Sequence, residues 1–154
     1  MLYHISKLHS DEQELIKKAP LLVTILVAGA DGSVHNNELD KSIELIHIKS
    51  FSESSDIRLL YKEIDHDVKL SLIAILKELP TDGVEREKRI IDQLAELNPI
   101  LAKMEPHISR EFYLSLKDFA FRVAQTSGGL FGFNTINYHE KEAIKLSMIN
   151  EPIG

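Results

Sequence analysis

Apolar residues recur at helical spacing along most of this chain, and no stretch shows the alternation of a half-buried strand. Ile57, Leu60, Tyr61 and Ile64 keep a three-to-four-residue rhythm behind the cap candidates Ser54 and Ser55. Val68, Leu72, Ile75, Leu76 and Leu79 continue it until Pro80 ends the run. A charged helix is expected from about Gly83 to Leu97, with Ile91, Leu94 and Ala95 turned inward. Asn98-Pro99 and Pro106 then punctuate a connection. Phe112, Leu116, Phe119, Ala120 and Val123 mark the apolar face of a long helix, and a last helix spans Tyr138 to Met148. Nearer the N-terminus, Leu39, Ile43 and Ile46 mark one face of a helix from about Asn36. Ser10-Asp11-Glu12-Gln13 reads as a capping box opening a short helix that stops before Pro20.

Leu21 to Ala30 is apolar on every side, so its period decides nothing. The β-branched residues of Leu22-Val23-Thr24-Ile25-Leu26-Val27 would suit a buried strand, and Gly29 and Gly32 would suit a nucleotide-binding turn. The glycine spacing is not the full dinucleotide fingerprint, however, and no later segment supplies parallel partner strands. A buried helix starting at Pro20 is the expectation. The whole therefore reads as an all-α, single-domain bundle of about seven to eight helices, residues 1–154, with no linker long enough to divide it.

Composition narrows the function. The chain has 154 residues and a formal net charge of −6. That length can bury a real core. Its charge argues against a nucleic-acid partner, which needs a basic face. Cysteine is absent, excluding disulfides and thiolate chemistry. The longest apolar run is about half of the roughly 20 residues that span a bilayer, so no transmembrane segment is expected. Met1 to Ser10 lacks a signal-peptide core, and a cytoplasmic location is the expectation.

The candidate chemistry sits at the end of the apolar run. Val27-Ala28-Gly29-Ala30-Asp31-Gly32-Ser33-Val34-His35-Asn36-Asn37-Glu38 runs from a helix through an Asp-Gly turn into a new helix. Aligned on an EF-hand calcium loop, Gly32, Val34 and Glu38 take positions 6, 8 and 12. Positions 1 and 3 then fall on Val27 and Gly29, which carry no oxygen side chain, so this is half a site. A weak repeat supplies a second half. Val123-Ala124-Gln125-Thr126-Ser127-Gly128 matches Val27 to Gly32, and after an insertion Ile136-Asn137-Tyr138-His139-Glu140 matches Val34 to Glu38. Ser127 stands where the first copy has Asp31.

On Ala28-x-Ala30-Asp31-Gly32-x-Val34-x-x-x-Glu38 and its degenerate second copy, the sequence resembles the tellurite-resistance TerB family over roughly residues 15 to 150. The resemblance implies an all-helical two-lobed domain, a role in tellurite and other stress resistance, no established enzymatic reaction, and an acidic site for a divalent metal. Asp31, Glu38 and Glu140 are the metal-ligand candidates. Their hard oxygens suit calcium, magnesium or manganese better than zinc. His35 is a candidate ligand for a softer metal. The competing account makes Asp31 a turn former and Glu38 and Glu140 helix caps, with Asn137 as a favoured cap beside Glu140. The domain is then a protein-interaction module without metal.

Two further features stand out. His66-Asp67 spells the dipeptide of metal phosphohydrolases, but that chemistry also needs an upstream His and a downstream Asp on adjacent helices, and a non-enzymatic protein is the expectation. The insertion Gly128 to Asn134 carries Leu130, Phe131 and Phe133 among three glycines. These apolar groups are expected to tuck between the halves of the domain; the alternative is contact with a protein partner or a membrane surface.

Overall fold

The computed structural model describes residues 2–29, 36–52, 55–127 and 138–152. Among them every regular element is a helix: α1 Leu2–Ile5, α2 Ser10–Ala28, α3 Asn36–Ser52, α4 Ser55–Asp65, α5 Val68–Glu78, α6 Gly83–Ala95, α7 Leu97–Lys103, α8 Pro106–Ser127 and α9 Tyr138–Ile144. The expected all-α bundle is what forms. α1 is a single turn, and only Glu96 separates α6 from α7. None of the described helices is long and apolar enough to cross a membrane.

The ambiguous apolar run is the bundle's axis. Every residue from Ala19 to Ala28 is buried, as a helix apolar on all sides requires. α3, α6, α7, α8 and α9 all pack against α2. One continuous core joins it to Ile46, Ile57, Tyr61, Leu94, Phe112 and Phe119.

The expected break at Pro20 does not occur. α2 runs from Ser10 through a buried Pro20 to Ala28. A proline inside a helix costs about 3 kcal/mol, through its missing N–H and its clash with the preceding turn. Here burial on both sides of Pro20 outweighs that local cost. The N-terminal cap also lies one residue earlier than expected. His9 precedes the helix, and its N–H donates to Glu12 Oε1 at 3.0 Å.

Pro80 follows the end of α5 as expected, whereas two later prolines open helices. Pro99 lies in the first turn of α7 and Pro106 is the first residue of α8, positions where no N–H is needed. Asn98-Pro99 therefore belongs to a helix, not to a connection. Asn98 also ties down the C-terminal segment, donating from Nδ2 to the Met148 carbonyl at 3.0 Å and accepting at Oδ1 from the Asn150 N–H at 2.8 Å.

One helix end and two apolar faces differ from their expected positions. α9 stops at Ile144 rather than reaching Met148, because Leu146 takes a left-handed backbone at φ 45 while remaining fully buried. In α6, Ile90 and Leu94 are the buried pair, and Ile91 and Ala95 are only partly covered. In α3, Ile46 is buried but Leu39 and Ile43 only partly. Ser42, Lys49 and Ser50 share the inward face instead.

Candidate functional site

α2 and α8, the two helices that lead into the repeated motif, begin side by side. Lys103 Nζ, just ahead of α8, reaches Glu12 Oε2 near the start of α2 at 2.6 Å. Together with the His9 N–H, that lysine holds the Glu12 carboxyl below its usual range. The helices pack along each other, so both run toward the same end of the bundle. α3 and α9 return alongside α8. Lys49, near the end of α3, meets Asp118, and the Lys145 carbonyl just beyond α9 accepts from Lys117 Nζ at 2.8 Å. The starts of α3 and α9 thus lie toward the end where α2 and α8 finish.

Glu38 is the third residue of α3, and Glu140 is the third residue of α9. The two copies agree in this register. Asp31 and His35 lie outside the described residues, as do Asn137 and the apolar insertion residues Leu130, Phe131 and Phe133. Ser127 is the last residue of α8. Among the described residues, no group of three His, Asp or Glu side chains already stands gathered at metal-ligand distance.

His66 and Asp67 fall in the short link between α4 and α5. They help line a groove of about 660 Å³ between α2, α4 and α5. Leu21, Ile64 and Ile75 form its buried apolar floor. Lys17 of α2 pairs with Glu63 of α4 at 2.8 Å, and Lys18 with Glu78 of α5 at 3.7 Å. Asp67 precedes the first turn of α5 and lies 3.5 Å from Ser71 Oγ. The dipeptide is therefore at a groove rim.

A polar cluster that the sequence pattern did not reveal lies between α3, α4 and α8. Lys49 is 4% exposed, yet its Nζ donates to Asp118 Oδ2 at 2.9 Å and sits 5.5 Å from the centre of the Tyr61 ring. Arg122 Nε donates to the same carboxylate oxygen at 2.9 Å. Partial burial pushes the Asp118 carboxyl up, but the hydrogen bonds from Lys49 and Arg122 outweigh it and hold the group below its usual range. Next to it, Ser115 Oγ donates to the buried Tyr61 hydroxyl at 2.8 Å. A lysine on the inward face of an amphipathic helix is the only sequence signal for this cluster, and it gives no hint of the partner.

No protein-family model, no curated protein and no solved structure matches the chain.

Proposed function

We propose that this chain is a non-enzymatic domain of the TerB type, acting in tellurite or related stress resistance, whose acidic turn holds a divalent cation weakly. One observation carries the reading. The order helix, connection, helix with glutamate third occurs twice, and the parallel course of α2 and α8 brings both second helices to begin at one end of the bundle. Glu38 and Glu140 share that end, and Asp31 belongs to the connection between α2 and α3. Three hard carboxylates suit calcium, magnesium or manganese. The ion's contribution there would be to neutralise their charge and tie the two halves together.

Glutamate at the third helical position also favours the positive helix end without any metal. A titration with each of the three ions, followed by amide shifts, separates the accounts. The metal reading expects a dissociation constant on the order of 10⁻⁴ to 10⁻³ M, weakened by Asp31→Asn and by Glu38→Gln. Capping alone expects Glu38→Gln to change almost nothing, since Gln keeps an acceptor in place. Binding that survives loss of both Asp31 and Glu38 removes the site.

A second reading, a helical interaction module, draws on α3. Ile48 and Phe51 are 54% and 65% exposed on the side of that helix opposite its buried face. Paired apolar exposure of this kind is what a partner surface requires.

A further inference from the structure

α5 carries an apolar side turned out as well as one turned in. Val68, Leu72, Ile75 and the following Leu79 make the inward side. Across the helix from them, Leu70 is 72% and Ile73 42% exposed, and the exposed Ala74 and Lys77 continue the same stripe at helical spacing. Grooves run along both flanks of this ridge. One is the groove of about 660 Å³ already described, which Ala74 lines together with Leu59 of α4, itself 45% exposed. The other, of about 310 Å³, is lined by Ile73 and Leu76 of α5 and by Leu39 and Ile43 of α3. A ridge between two grooves is a shape that receives the ridge of another helix.

The charges on the stripe select the occupant. Asp67 and Lys77 lie at its two ends, equally far along the chain from Leu72, and Leu70 and Ala74 are likewise equally far from it. Among the described residues the Asp67 carboxylate has no polar contact nearer than Ser71 Oγ at 3.5 Å, and Lys77 has no charged partner. A second α5 laid antiparallel, about a twofold axis level with Leu72, sets Leu70 beside Ala74 and Asp67 beside Lys77. The symmetry makes each pairing occur twice. An anionic bilayer fits the stripe less well, because the chain's net charge is −6.

We propose that α5 is a homodimer face, on which two copies of the chain pack antiparallel through Leu70, Ile73 and Ala74, with Asp67–Lys77 ion pairs at both ends. The contact is small, since this helix of 11 residues is about 16 Å long. The dimer is therefore transient, with a dissociation constant on the order of 10⁻⁴ M. It uses neither the acidic turn nor Ile48 and Phe51 of α3, and it is independent of the proposed metal site.

Sedimentation velocity of the full chain, from about ten times below to about ten times above that dissociation constant, tests the face. Conversion of monomer to dimer with rising concentration is expected. Leu70→Ser should weaken dimerisation at least about tenfold, because the twofold axis removes two leucines at once. Its far-UV circular dichroism spectrum should not change, since the side chain already lies in solvent. Asp67→Lys and Lys77→Asp each bring like charges together at both ends and should each abolish the dimer. Mixed in equal amounts, these two variants should dimerise again, because each end of the mixed pair then joins an acid to a base. A wild-type chain that stays monomeric throughout, a dimer unaffected by Leu70→Ser, or a mixture that stays monomeric overturns the face. A monomeric chain that binds phosphatidylserine vesicles, and no longer does so in Leu70→Ser, overturns it in favour of a membrane.

Discussion

α2 buries every residue from Ala19 to Ala28, whereas its neighbour α3 turns Ser42, Lys49 and Ser50 inward and leaves Ile48 and Phe51 in solvent. The two helices are similar in length, 19 and 17 residues, and lie in the same bundle. Their difference is one of partners. Five other helices pack against α2, and from Ala19 to Ala28 it is enclosed, so a side chain in that stretch must be apolar or satisfied within the helix. Thr24 meets that condition by donating from Oγ1 to the Pro20 carbonyl at 3.0 Å. α3 faces α4 and α8, which offer a carboxylate and an aromatic ring to a buried ammonium group. Buried polar groups are tolerable wherever a partner waits, and costly otherwise.

The comparison also separates strength from direction. Apolar packing around α2 supplies stabilisation in proportion to area, with little preference for one register. The Lys49–Asp118 contact is directional and joins one point of α3 to one point of α8. A charge pair with one buried and one half-exposed partner adds little net stability, because desolvation and solvent screening offset much of the attraction. Breaking it on one side is another matter, since the remaining charge is stranded.

The largest expected effect lies in α2. Leu22→Ala should destabilise the chain by about 2–5 kcal/mol in denaturant unfolding, the range for a fully buried leucine. A loss under 1 kcal/mol would mean that α2 is not the axis of the core.

Asp118→Ala comes next and should cost about 1–3 kcal/mol, toward the lower end because solvent reaches Asp118. Its pH dependence sharpens the contrast. The folded carboxyl is held below its ordinary value, so its contribution is fully present above the unfolded value of about 3.9 and is lost as pH falls through the lower folded value. Wild type should therefore lose its advantage over Asp118→Ala as pH drops below about 4. A difference between the two proteins that stays constant through that acid range would show that Asp118 acts by packing rather than by charge.

Phe51→Ser on the outer side of α3 should be the mildest change, within about 0.5 kcal/mol of wild type. A cost of several kcal/mol would mean that Phe51 is covered in solution and that α3 has a second buried face.

Helix identity was legible along the chain because the spacing of apolar residues is a local property that survives in the sequence. Ile57, Leu60, Tyr61 and Ile64, and likewise Phe112, Leu116, Phe119, Ala120 and Val123, are buried as their spacing predicts. The glutamates of the two copies were legible too, as the third residue of each following helix. Less of the candidate chemistry could be read. Lys49, Asp118 and Tyr61 come from three separate helices, so no local pattern announces the group.

By itself, then, the sequence determined that this protein is all helix, that Leu21 to Ala28 belongs inside, and where most helices begin. Tertiary structure decided that Pro20 would be carried through α2, since burial contributed by other helices outweighs a penalty that is purely local. It also decided which side of α3 faces inward. Periodicity favoured Leu39, Ile43 and Ile46, but α4 and α8 supplied an aromatic ring and a carboxylate for Lys49, and a helix turns the face for which its neighbours have partners.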